Sequence, residues 1–295
     1  MFRVLRVSFV LFIINNNCES QSTEKLPKKC GLMKADEKIT NGVNASLGQF
    51  PFMALLGYTR KVNEKVLPQF ICGGTIINEY YVLTAAHCFR ASLTFIRLGE
   101  LDTRSNIDCE ELNGFTHCGD PFLDIPIEKK VIHENYNPIN FKNDIALVKA
   151  SNKIKFSDYI QPICLPFNFN SNLTGTLLTA SGWGTTASIS SIHSSTLQYA
   201  FIRAWETKNC DNSLSSEVRP LKDTQICGNG ANGQDACRGD SGGPLFTVRV
   251  AESQPRYLQV GVTSFGATGS CGNSELPSVY TNVVKYVDWI VENIE

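Results

Sequence analysis

The sequence has no low-complexity tract, no block of like charge and no apolar run long enough to span a bilayer. Its 27 basic and 28 acidic side chains leave a formal net charge of −1 over 295 residues. That balance offers no electrostatic footprint for nucleic acid and no charged block for a membrane surface. It is equally silent on substrate. Helical periodicity is scarce as well. What is present is an ordinary apolar content of 42%, enough for one or two domains with a full core. The longest early apolar stretch, Val7 to Ile14, falls far short of the ~20 residues a spanning helix needs. It follows a basic start, Met1 to Arg6, and precedes the small residues Cys18 and Ser20. Residues 1–20 therefore read as a signal peptide cut after Ser20, which places the chain outside the cell. Cys18 would leave with it, and ten of the eleven cysteines remain. An even number in an oxidising compartment reads as disulfides, not metal ligands, although connectivity does not follow from sequence.

From Phe50 onward, short apolar runs alternate with turn residues. They are Phe52–Tyr58, Phe70–Ile77, Tyr81–Ala86, Thr94–Leu98, Ile127–Ile132 and Ile145–Val148. A second set follows at Leu177–Ala180, Leu197–Ile202, Thr224–Ile226, Leu245–Val250, Leu258–Val262 and Val279–Val283. Many short strands at this spacing predict an all-β sandwich or a pair of barrels. Val283, Val287, Ile290 and Ile294 recur at helical spacing and predict a closing helix.

Three stretches carry chemistry. In Gly233 to Leu245, Ser241 sits among Gly239, Gly242 and Gly243, directly after Asp240. A serine hydroxyl attacks only when a base takes its proton, and the oxyanion it creates needs preorganised N–H donors. Leu83-Thr84-Ala85-Ala86-His87-Cys88 ends an apolar run on a histidine, and Asn143-Asp144-Ile145-Ala146-Leu147 opens one on an aspartate. Read singly, these could be a turn serine, a core histidine and a strand-start aspartate. Together, in the order His, Asp, Ser, they resemble the motifs of the chymotrypsin-like serine proteases of the trypsin branch.

The resemblance implies two six-stranded Greek-key β-barrels, with the active site between them and a C-terminal helix. It implies that Ser241 attacks, His87 shuttles the proton, Asp144 orients the imidazole, and the N–H groups of Gly239 and Ser241 hold the oxyanion. Ser264 would support Asp144. Asp235, six residues before Ser241, would floor a pocket for Arg or Lys, with Gly266 and Ser278 as its walls. The sequence departs from the usual pattern at Phe265, normally tryptophan, and at Ser278, normally glycine. Asp36-Glu37-Lys38 followed by Ile39-Thr40-Asn41-Gly42 resembles an activation junction. Cleavage after Lys38 would free the Ile39 ammonium to pair with Asp240, because a buried carboxylate needs a partner.

Residues 21–38 then form a propeptide or light chain tethered by Cys30, too short for a folded clip module, and 39–295 form the protease domain. The resemblance further implies the pairs Cys30–Cys164, Cys72–Cys88, Cys210–Cys227 and Cys237–Cys271, leaving Cys109 and Cys118 to close a loop. A further bridge common in trypsin-like chains is missing at both ends, here Leu178 and Thr247. Leu98-Gly99-Glu100 resembles the start of a calcium loop, making Glu100 a candidate ligand; a solvated acidic loop fits equally well. No other cofactor is implied. Asn44-Ala45-Ser46 and Asn172-Leu173-Thr174 are glycosylation acceptors. The Cys30 tether with the Cys109–Cys118 insertion resembles arthropod clip-type cascade proteases of the easter kind. Expected partners are protein substrates such as downstream zymogens, an upstream activating protease and serpin-type inhibitors. The competing readings are a non-catalytic homologue acting as a binding cofactor, and a digestive trypsin.

Overall fold

The computed structural model describes residues 25–33, 44–169, 172–185, 193–214, 216, 218, 221–230, 235–251, 253–266 and 276–295. Residues 1–20, read from the sequence as a signal peptide, the Lys38–Ile39 junction and Cys271 lie outside these residues. Strands β1 (Met53–Val62), β2 (Lys65–Ile76), β3 (Tyr81–Thr84) and β4 (Leu93–Leu98) lead into a small hairpin, β5 (Cys109–Leu112) and β6 (Phe115–Cys118). They are followed by β7 (Leu123–Ile132) and β8 (Ala146–Ala150), which return to the first barrel, closed in the order β1-β2-β3-β8-β7-β4. A second barrel is built from β9 (Leu177–Gly182), β10 (Gln198–Trp205), β11 (Gln225–Gly230), β12 (Pro244–Ala251), β13 (Gln254–Gly266) and β14 (Ser278–Asn282). It closes in the order β10-β11-β14-β13-β12-β9, with all recorded pairings antiparallel.

The runs of uninterrupted apolar residues are those buried throughout. Tyr81–Thr84 is fully enclosed, as is Ile145 with the start of β8. The barrels are joined by rings. Phe50 and Phe52 from the first meet Tyr199, Phe246 and Tyr257 from the second at centroid distances of 5.2 to 5.7 Å, mostly edge to face. Such pairs add about 0.5–1.5 kcal/mol each beyond the area they bury. The two halves are thereby held rigidly enough to share a cleft.

A one-turn helix, α1 (Thr207–Asp211), precedes β11, and α2 (Val287–Asn293) closes the chain with Val287, Ile290 and Val291 buried. Lys25 reaches the end of α2, donating to the carbonyls of Ile294 at 2.6 Å and Val291 at 3.3 Å. These are carbonyls a helix end leaves without partners. Residues 25–33 are also knitted to the segment between the barrels and to β13: Gly31 N–H donates to Pro162 O, and Tyr257 N–H to Gly31 O. Disulfides join Cys30–Cys164, Cys72–Cys88, Cys109–Cys118 and Cys210–Cys227. Among the described residues, no helix is long and apolar enough to cross a membrane.

Candidate active site

His87 lies in a single 3₁₀ turn directly after β3, tied down by the Cys72–Cys88 bridge. Asp144 stands just before β8, the strand paired with β3, so the barrel itself brings the two together. The Asp144 side chain is fully buried and is surrounded by donors. Its Oδ1 accepts the His87 backbone N–H at 2.9 Å, and its Oδ2 lies 2.7 Å from His87 Nδ1 and accepts the Ser264 hydroxyl at 2.5 Å. Thr281 Oγ1 donates to the Asp144 carbonyl at 2.7 Å, adding a contact from β14. A buried carboxylate is tolerated when so many charge-assisted bonds replace its water.

The serine loop docks against the same corner. Ser241 C=O accepts the Gly73 N–H at 2.8 Å, and Gly242 N–H donates to Thr263 O at 2.8 Å. Gly242 has φ +76°, and a Cβ there would lie 2.6 Å from Gly73 O and collide with Thr84 Oγ1. Only glycine lets this loop approach the residues that precede the His87 turn. No hydrogen bond joins Ser241 Oγ to His87 Nε2 among the described contacts. Such bonds commonly tighten only when substrate is bound. Within the loop, the N–H groups of Asp240, Gly242 and Gly243 are spent on carbonyls at 3.1, 2.8 and 2.9 Å. Those of Gly239 and Ser241 have no acceptor among the described residues, leaving two donors flanking the serine.

Asp240 accepts N–H bonds from Gly184 and Cys237, both at 2.8 Å, and has no cation among the described residues. Burial outweighs these two bonds and pushes its carboxyl up to about 6. Gly182 and Gly184 exist to admit it, since a Cβ at either would strike its oxygens. Asp235 accepts the Ala236 N–H at 2.8 Å, and Ser278 Oγ lies 3.1 Å from each of its oxygens, so the single hydroxyl proton serves one or the other. Burial pushes the Asp235 carboxyl up to about 7 against those two bonds. Gly266 is exposed and pairs across the ladder with Ser278, so the two stand on adjacent strands beside Asp235.

Phe141 was not legible as a site residue. Its φ of 53° turns the ring back toward the site. There it meets the His87 ring edge-on at 6.1 Å and the Phe265 ring at 5.0 Å, forming an apolar wall next to the imidazole. The only sequence signal is a phenylalanine close to Ile139 in a mostly polar loop, two residues before Asn143-Asp144.

Glu100 is buried, its side chain 1% exposed, with Oε2 3.3 Å from Arg97 Nη1 and Oε1 without any partner. Burial and the neighbouring Asp108 push its carboxyl up to about 7. Asp108 has both oxygens engaged, Oδ2 by the Leu101 and Asp102 N–H groups and Oδ1 by the Ser105 hydroxyl, so Glu100 Oε1 is the oxygen here that a hard cation could take. Cys72, His87 and Cys88 also lie close together, but both thiols are bridged and cannot hold a metal. Asn44 and Asn172 are both exposed; Asn172 Oδ1 accepts the Thr174 N–H at 2.9 Å. The expected partner of Cys237, Cys271, lies outside the described residues.

Residues 39–290 match the trypsin family model. The chain is 38% identical over 292 residues to a Drosophila melanogaster protein called serine protease ea, covering 95% of this chain and 73% of that one. It is 36% identical to phenoloxidase-activating factor 3 of Holotrichia diomphalia, covering 90% and 75%. Its fold superposes on the Drosophila Grass clip serine protease of the Toll pathway with a TM-score of 0.77 at 35% identity, covering 93% and 77%. With its two closed barrels and these relatives, the chain belongs to the trypsin family and is a serine endopeptidase.

Proposed function

We propose that the protein is a secreted zymogen, activated by cleavage after Lys38, that cuts protein substrates after Arg or Lys. The observation that carries the mechanism is the set of donors converging on buried Asp144. That carboxylate fixes the His87 ring with Nδ1 as the proton-bearing nitrogen, leaving Nε2 as the base. His87 takes the Ser241 proton as Oγ attacks the scissile carbonyl. The unspent N–H groups of Gly239 and Ser241 hold the oxyanion. The same imidazole then protonates the leaving amine, and water repeats the sequence on the acyl-enzyme.

Asp235 supports the preference for a cationic side chain. A half-satisfied carboxylate at the base of a slot favours a substrate that brings a charge. Ser278 already donates to it and occupies space, which favours the slimmer lysine relative to arginine. Asp240 supports the switch: among the described residues it has two backbone donors and no counter-charge, which a freed Ile39 ammonium would supply. The test is to express the secreted protein and assay peptides ending in Arg, Lys, Phe or Ala, before and after cutting at Lys38. Hydrolysis of the Arg and Lys peptides should develop only after the cut. Full activity of the uncut chain would sink the switch, and an inert cut chain would sink the enzyme's assigned machinery.

The similarity to spaetzle-processing and phenoloxidase-activating proteins supports a place in an extracellular cascade such as innate immunity. Its partners would be an upstream protease, downstream zymogens and serpin-type inhibitors. A calcium ion would take Glu100 as a ligand, where it would brace the loop and take no part in the chemistry. Millimolar calcium should then raise the melting temperature by about 2–4 °C. A Glu100→Gln chain should lose that shift, and a wild-type chain indifferent to calcium and chelator would remove the site.

A further inference from the structure

The loop from His133 to Ile145 carries both Phe141 and Asp144, and it is zipped along its length. At its base His133 N–H donates to Ile145 O at 3.2 Å, and Ile145 N–H to Asn143 O at 2.9 Å. Further out, Asn143 Nδ2 donates to Asn135 O at 2.7 Å, and Asn137 N–H to Lys142 O at 3.0 Å. Asn143, directly before Asp144, holds a left-handed φ of 54°, a conformation asparagine adopts more readily than most residues. Its amide is gripped at both ends: Nδ2 by the Asn135 carbonyl, and Oδ1 by the Tyr286 hydroxyl at 2.7 Å.

The His133 side chain provides a third hold. It is only 10% exposed, stacked on Trp289 at 5.0 Å and edge-on to Tyr286 at 5.4 Å. Its Nδ1 accepts the Asn135 N–H at 3.2 Å, so that nitrogen carries no proton. This bond sets the Asn135 backbone, whose carbonyl in turn receives Asn143. Glu134 stands beside the same nitrogen. Its Oε2 lies 3.8 Å from Nδ1 and accepts the Trp289 Nε1–H at 3.0 Å. The other titratable groups nearby are Tyr286, spent on Asn143, Tyr136 and, deeper, Asp144. Asp288 and Glu292 of α2 are solvent-exposed. Burial lowers the proton affinity of the ring by more than Glu134 raises it, which favours the neutral form.

We infer that His133 is a positioning residue for the triad: its neutral ring holds Asn135 and, through Asn143, the backbone that presents Asp144, and a proton on Nδ1 releases that hold. A protonated Nδ1 points an N–H at the Asn135 N–H, where an acceptor is needed. The new donor turns to Glu134 instead, and the Asn143 amide is left with a displaced acceptor. The alignment of Asp144 with His87 then loosens, and turnover falls. The effect falls on kcat more than on KM, because Asp235 and Ser278 stand on other elements. The inference rests on the triad assigned above.

The experiment uses the full secreted chain after cleavage at Lys38, with three variants. His133→Phe keeps the stack on Trp289 and removes the acceptor. His133→Asn restores one, since its Oδ1 falls close to the place of Nδ1, and it cannot titrate. Tyr286→Phe removes the other grip on Asn143. Near neutral pH, with saturating Lys peptide, His133→Phe and Tyr286→Phe should each lower kcat roughly three- to tenfold, the reach of one lost hydrogen bond. KM should hardly move. Combined, the two should cost less than their product, because both act through Asn143. His133→Asn should turn over at the native rate. On the acid side its plot of log kcat against pH should fall one proton less steeply than the native plot. Titration of Asp235 acts on KM and leaves this slope alone.

A native slope of a single proton, or His133→Phe at the native rate, would overturn the inference and leave the triad standing. Equal losses in His133→Phe and His133→Asn, with lowered melting temperatures, would reduce the ring to packing and overturn it too. If the cut native protein turned over no substrate, the triad reading would fall, and this inference with it.

Discussion

Asp144→Asn should lower kcat about ten-thousandfold with little change in KM or stability. That size is the one found for Ser-His-Asp enzymes generally; the direction comes from the contacts here. Oδ1 accepts the His87 backbone N–H, and an asparagine oxygen can keep that bond. The amide nitrogen must then face Nδ1, which lies 2.7 Å from Oδ2 in the native site. An N–H aimed at Nδ1 makes that nitrogen an acceptor and moves the ring proton to Nε2. The imidazole stays in place but can no longer receive a proton from Ser241. The Ser264 hydroxyl, donating to Oδ2 at 2.5 Å, would have to turn away, which costs little because a hydroxyl rotates. Measuring kcat with burst kinetics, alongside the melting temperature, checks this. A loss under tenfold would mean that another group sets the ring, and a collapsed melting temperature would mean that Asp144 is chiefly structural.

Asp235→Ser should cost about 10⁴-fold in kcat/KM on Arg and Lys peptides, and spare or improve those ending in apolar residues. A cationic side chain would enter a slot stripped of its counter-charge, and its desolvation would go uncompensated. The native protein should report the same group through pH. Because burial holds the Asp235 carboxyl up near 7, the proton is retained below that pH and the cation-binding form is lost as pH falls. KM for Lys peptides should rise as pH drops through about 7, whereas kcat at saturation should respond to the base instead. A bound cation favours the ionised form, so the transition should move to lower pH in the complex. Identical pH profiles for wild type and Asp235→Ser would rule out this assignment.

Much of the site could be read from local strings, since each of the three motifs places its residue at the end of a strand or in a glycine loop. The barrels were legible for a similar reason: runs such as Tyr81–Thr84 are buried on every side and read as unbroken apolar text. The β5–β6 hairpin was not, because Cys109–Leu112 and Phe115–Cys118 are largely solvent-exposed and leave no apolar signature. A disulfide and the Asn113-Gly114 turn hold it. The outer half of β2 leaves as weak a signal, because Lys65, Pro68 and Gln69 flank Val66 and Leu67 and the apolar run begins only at Phe70. Other features depend on distance in sequence. Ser278 meets Asp235 across 43 residues, and Phe141 reaches Phe265 only after both barrels close.

The Cys30–Cys164 bridge has a topological consequence. Together with the 134-residue stretch of backbone it spans, it forms a covalent ring that threads through the whole first barrel. While the ring is intact, the unfolded chain is denied many conformations, a constraint worth about 4–5 kcal/mol for a loop of this length. Lys38 lies inside that ring. A cut there opens the circle without releasing a fragment, and the bridge passes from restraining the unfolded state to joining two strands of one molecule. The nicked protein loses its circularity, so any ordering gained at the new terminus has to compensate for that lost restraint.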